Sequence, residues 1–142
     1  THNNLASMVM RSTDGADRAR ALRHLRLSIA VDPERYSSHA NIAEVLSSRG
    51  ELHEAMHHYR LALQWRQTAD VHNNLGIAMY KQALAASGAK GALARLPEST
   101  RHYEQAVRLD PTHRQCHENL AKIRQHQRRQ EEAGWHAAQA RS

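Results

Sequence analysis

Residues 39–43 read His39-Ala40-Asn41-Ile42-Ala43, and the string returns three times. It appears as His2-Asn3-Asn4-Leu5-Ala6, as His72-Asn73-Asn74-Leu75-Gly76 and as His117-Glu118-Asn119-Leu120-Ala121. One such match arises by chance, but four do not. A second pattern follows each string. In the second repeat it is Gly50, then Ala55, Tyr59 and Ala62, spaced four and three apart, which lines one face of a helix. Its counterparts are Ala21, Leu25 and Ser28, then Ser99, Tyr103 and Ala106, then Ala133, Ala137 and Ala140. Each repeat therefore predicts two helices joined by a turn. Val31, Trp65 and Leu109 close the second helices of the first three repeats, and the spacing places Trp65 in the core. Asp32-Pro33 and Asp110-Pro111 end two of these helices, because proline cannot continue one.

The spacing between repeats is uneven. Asn4 to Asn41 is 37 residues, Asn41 to Asn74 is 33, and Asn74 to Asn119 is 45. The excess in the first interval fits the polar turn Ser12-Thr13-Asp14-Gly15-Ala16-Asp17. The longer excess in the third fits residues 83–96, where Ser87-Gly88 and Gly91 interrupt an Ala- and Leu-rich stretch and Pro97 suits the first turn of a new helix. That stretch predicts a lengthened first helix plus a longer connection.

Small residues at fixed slots, an aromatic on the second helix and a closing proline resemble the tetratricopeptide (TPR) family. The resemblance covers nearly the whole chain and is best from Tyr36 to about Thr68. It implies an all-α, TPR-type solenoid of about four antiparallel helix pairs, with repeats near 1–34, 36–68, 69–112 and 113–142. Small Ala43 and Gly76 on first helices, with Ala55 and Ala62 on second helices, would let the backbones approach closely. The chain starts at Thr1, as expected of a piece of a longer protein.

First helices of such a stack line a concave groove. Asparagine is a mediocre helix former, so its return at Asn4, Asn41, Asn74 and Asn119 needs a reason. A carboxamide donates and accepts, so a ladder of them can hold a peptide main chain without reading its sequence. This resembles the asparagine ladder in the TPR arm of O-linked N-acetylglucosamine transferase and related glycosyltransferases. The resemblance implies a substrate-recognition arm of a larger enzyme. Asn73, Glu44, Lys81 and Lys122 join the four asparagines as expected peptide-contacting residues. The alternative is a scaffold in a multiprotein assembly, whose asparagines bond neighbouring helices instead. The repeated His2, His39, His72 and His117 are expected to pack between helices.

Other functions find little support. The formal charge of +6 comes from scattered Lys and Arg with acids between them, which reads as a solvated surface. Few exposed aromatics are on offer for base stacking, so nucleic acid is not an expected partner. Expected partners are proteins or peptides, and further copies of the chain through an uncovered C-terminal end. No apolar run approaches the length of a membrane span. The lone Cys116 fits a reducing compartment, read as cytoplasmic, although a glycosyltransferase parent could place the chain in the ER lumen. His53 with His57, and His113 with His117, are spaced i, i+4, but a structural zinc site needs four ligands. No metal or cofactor is expected. No phosphate loop or nucleophile motif appears, and Cys116 beside two histidines sits where small buried residues are usual, so no enzyme activity is expected. Lys is missing from the slot after each repeated His, unlike in TPR clamps for acidic chaperone tails. Trp135 shares its slot with Arg23, His57 and Arg101, which predicts an outward position.

Overall fold

The computed structural model describes residues 15–32 and 34–141, with backbone alone for 87–95. The fold is all-α, as expected, with no strand among the described residues. The helices are α1 (Gly15–Val31), α2 (Tyr36–Ser48), α3 (Leu52–Trp65), α4 (Ala69–Leu109) and α5 (Arg114–Arg141). The expected first helix of the first repeat, with His2 and Asn4, lies outside the described residues. Contacts run between helices consecutive in sequence, and α2 and α4 form the one further pair. No described helix is long and apolar enough to cross a membrane.

The α2–α3 hairpin shows how the repeat closes. α2 buries His39, Ala40, Ile42, Ala43, Val45 and Leu46, and α3 buries Ala55, Met56, Tyr59, Ala62 and Leu63. Between them the Glu51 N–H donates to the Leu46 carbonyl (3.0 Å) and the Gly50 N–H to the Ser47 carbonyl (3.1 Å). These are the two bonds of a Schellman cap, which requires a left-handed residue at its centre. Gly50 supplies it with φ +80°.

Helical structure is continuous through α4, yet α4 is not straight. His72 and His102 would lie about 45 Å apart along one straight helix. Their Nδ1 atoms are 3.0 Å apart. A Cβ added to Gly76 would lie 2.9 Å from Cε1 of Tyr103. The chain therefore reverses between buried Ala83 and buried Leu96, within the stretch whose length exceeds the repeat. Two helical arms abut there, where the sequence predicted a lengthened first helix plus a longer connection. The outgoing arm packs on α2 and α3, and the returning arm meets α5. Gly76 is small because the Tyr103 ring of the returning arm occupies the space a side chain would need.

The described core falls into two clusters. One joins Leu22 and Leu25 of α1 to α2, α3 and Val71, Leu75, Ala78 and Met79 of the outgoing arm. The other joins Leu96, Tyr103 and Ala106 to Cys116, Leu120 and Ile123 of α5. Ala21, Leu25 and Ser28, Ala55, Tyr59 and Ala62, and Ser99, Tyr103 and Ala106 are all buried, as their spacing predicts.

Two expectations are corrected. Trp65 is 50% exposed, because it ends α3 beyond the residues the neighbouring helix covers. The fourth helix pair does not close. α5 is one helix of 28 residues, and everything from Arg128 to Arg141 is exposed, including Ala133, Ala137 and Ala140. The slot of Gly50 is occupied by Arg128, for which a left-handed conformation is costly, so the helix runs on. Trp135, at 60% exposure, does face outward.

Candidate functional site

One face recurs on three helices at i, i+3 and i+7. It carries Asn41, Glu44 and Ser48 on α2, then Asn74, Ile77 and Lys81 on the outgoing arm of α4, then Asn119, Lys122 and His126 on α5. The three asparagines, Glu44, Ile77 and His126 are half-buried, while Ser48, Lys81 and Lys122 are exposed. Asn4 belongs to the same slot but lies outside the described residues.

Two hollows lie along this face. One, of about 310 Å³, brings together Glu44, Asn74 and Lys81, with Tyr59 and Ile77 in its lining. The other, of about 210 Å³, brings Asn119 and Lys122 beside Tyr80, Leu96, Tyr103 and Ile123. The first is flanked by a carboxylate and an ammonium group. The second is a mainly apolar recess with a carboxamide at its side. Between them they gather five of the eight residues expected from the sequence to contact a peptide, while Asn41 occupies the matching slot on α2.

The asparagines also bond across helices. Asn74 Nδ2 donates to Glu44 Oε1 (3.4 Å), and Asn119 Nδ2 to Asn73 Oδ1 (3.0 Å). Asn73 Nδ2 in turn donates to Gln115 Oε1 (3.3 Å). Asn73 is only 1% exposed, which corrects its expected role. Buried between the helices, it cannot touch a ligand on this face and acts as a bridge between α4 and α5. Glu44 is also affected by its surroundings: burial, and then the Asp70 carboxylate, raise the pKa of its carboxyl group.

Behind this face, the α2–α3 pair and the two arms of α4 each contain a stacked histidine pair. His39 and His58 have Nδ1 atoms 3.0 Å apart and ring centroids 5.3 Å apart. His72 and His102 repeat these distances. His39 and His72 are buried, as expected of rings that pack between helices. In the second pair Gln67 Oε1 lies 2.6 Å from His72 Nε2. An amide oxygen only accepts, so neutral His72 carries its proton on Nε2, and His102 Nδ1–H donates to His72 Nδ1. His58 is held down to about 4 by burial, then by His39 and His57. His102 is likewise held down to about 4 by burial, then by His72 and Arg60.

The sequence reading missed His58 and His102, although their signal was present. Each follows the first small residue of its second helix by three positions, as do His24 and His136. His117 lacks the stacked partner. It is exposed, with Nε2 2.8 Å from the Pro111 carbonyl. Cys116 is buried and donates from Sγ to the Tyr103 carbonyl at 3.0 Å, and burial raises its thiol pKa. It is a packed residue, not an exposed thiolate. His53 and His57 are exposed on α3.

No protein-family model and no curated protein matches this sequence.

Proposed function

We propose that the chain is a TPR-type solenoid module without chemistry of its own, which binds an extended protein or peptide segment along its first helices. The observation that carries this reading is the recurrence of half-buried asparagine at one slot of α2, α4 and α5, with Asn74 and Asn119 each lining a hollow. Donating one hydrogen to the neighbouring helix leaves the Asn74 and Asn119 carboxamides a second hydrogen and their oxygen lone pairs for a main chain. The recess beside Asn119 suits an apolar side chain of the bound segment, and Glu44 and Lys81 suit polar neighbours. A role as the recognition arm of a larger glycosyltransferase is part of this proposal and rests on the asparagine ladder alone.

The scaffold reading is supported by a different observation, the Asn119–Asn73–Gln115 chain inside the protein. One double variant separates the two. Peptides selected from a displayed random library would be measured against Asn41→Ala/Asn74→Ala. For a peptide ladder the affinity falls about fivefold to a hundredfold, since each lost hydrogen bond contributes roughly 0.5–1.5 kcal/mol. The melting temperature then changes little. A large drop in melting temperature with unchanged affinity would reject the ladder and favour the scaffold.

A further inference from the structure

The two histidine pairs are aligned more closely than ring stacking requires. In each, the ring centroids are 5.3 Å apart and the Nδ1 atoms 3.0 Å apart, and the ring planes differ by only 27° in one pair and 29° in the other. The difference between 5.3 and 3.0 Å, 2.3 Å, is the full diameter of an imidazole ring, so both nitrogens and both centroids lie close to one line. The rings are offset until they meet edge to edge, and the in-plane direction of each Nδ1 points straight at the other. His39 and His72 are buried, and His58 and His102 are half-buried. Gln67 Oε1, 2.6 Å from His72 Nε2, keeps the His72 proton on Nε2 and aims an Nδ1 lone pair at His102. A carbonyl on the far nitrogen is the usual support of a metal-bound histidine. Burial lowers the pKa of His72 and, with the neighbouring rings, holds His58 and His102 down to about 4, so these rings stay neutral at pH 7.

We propose that each pair is a two-coordinate site for copper(I), held on the line between the two Nδ1 atoms. Two ligands at 180° suit a soft ion with a filled d shell. Zinc takes four ligands in a tetrahedron and copper(II) four in a plane. Among the described residues, no group of three or more His, Cys, Asp or Glu could hold such an ion. Local charge points the same way. Arg60 and Arg101 act on His102 against Glu98, and Arg26 acts on His58 against Glu54, which admits one positive charge more readily than two. A metal–imidazole bond is about 2 Å long, so the nitrogens must part from 3.0 Å to about 4 Å, about half an ångström for each side chain. The proton on His102 Nδ1 moves to Nε2 of the same ring, so the imidazole stays neutral. The bound ion ties α2 to α3 in one site and the two arms of α4 in the other.

The test uses the untagged chain with Cys116→Ala, which removes a thiol that competes for copper(I). Copper(I) is supplied without oxygen as its bicinchoninate complex. The chain is expected to withdraw two ions, with the X-ray absorption edge of two-coordinate copper(I) and nitrogen neighbours alone, and to melt at a higher temperature when loaded. His58→Leu and His102→Leu should each reduce the count to one, and the double variant to none. Gln67→Leu keeps all four ligands and the packing of the helices. It should weaken the His72–His102 site about tenfold to a hundredfold and leave the other site as it was. No copper withdrawn, a three- or four-coordinate edge, or full loading of the double variant would overturn the proposal. An unchanged second site in Gln67→Leu would overturn it for His72 and His102.

Discussion

The α2–α3 hairpin and α5 are two readings of nearly the same instructions. Both begin with a histidine and an asparagine two residues on, and both continue to small residues at matching separations. One closes into a pair with Ile42, Ala43, Val45, Leu46, Ala55 and Ala62 fully buried, and the other runs straight into solvent. They differ at the turn and across the buried faces. Gly50, with φ +80°, becomes Arg128, and the buried Leu46, Met56, Tyr59 and Leu63 become Arg124, Gly134, Ala137 and Arg141. Periodicity thus decides which face of a helix can be buried. The turn residue and the large apolar residues of the two faces decide whether the chain folds back to bury it.

The most severe way to break the comparison is to give the hairpin the residue of α5. Leu46→Arg removes a fully buried side chain and puts an unpaired guanidinium in its place. The cost is expected to be about 4 kcal/mol or more, enough to unfold much of the stack. Urea unfolding followed by circular dichroism would show this. The reciprocal Arg124→Leu, on an exposed stretch of α5, should change stability by no more than about 0.5 kcal/mol. Equal effects from the two changes would mean that the slots are not equivalent.

A milder exchange tests the turn alone. Gly50→Arg leaves the core composition intact but forces a side-chain-bearing residue into the left-handed region. The expected loss is about 1–2 kcal/mol, seen as a fall of several degrees in melting temperature. An unchanged melting temperature would show that the hairpin does not depend on its cap.

Much of this was legible in the sequence, for identifiable reasons. The buried face of each second helix followed from four-and-three spacing, because burial on a helix is a matter of angle. The reversal inside α4 was locatable because the excess length had to fall between helices whose other contacts keep register. The same excess appears in the histidine pairs, which stand 19 residues apart at His39 and His58 and 30 apart at His72 and His102. Trp65 was misplaced because hydrophobicity says nothing about where the neighbouring helix ends. The fourth pair was misjudged because alanine spacing outweighed turn chemistry. Asn73 looked like one of the ladder. Only the packing of α4 on α5 shows that one asparagine of an adjacent pair faces inward.

The smallest expected effect concerns the histidine pairs, which the closed hairpins have and α5 lacks. Two stacked imidazoles share one hydrogen bond only while at least one ring is neutral, since a protonated ring donates from both nitrogens and accepts from neither. Burial, then the neighbouring histidines, hold His58 and His102 down to about 4 in the folded protein. An unfolded histidine titrates near 6.5, so between about 6.5 and 4 the unfolded chain binds protons that these two rings do not. Stability therefore falls as pH drops through that window and is flat with respect to these groups above it. Glu44 works the other way, because its raised carboxyl takes up a proton more readily when folded, and it offsets part of the loss. After discounting for the solvent that reaches both rings, the two pairs together contribute on the order of 1 kcal/mol between pH 7 and pH 5. His58→Asn/His102→Asn should flatten the curve of unfolding free energy against pH over that range, whatever it does to stability at pH 7. His136→Asn, on the exposed half of α5, should leave the curve of the isolated monomer as it was. If the double variant keeps the full pH dependence, the stacked pairs are not its source.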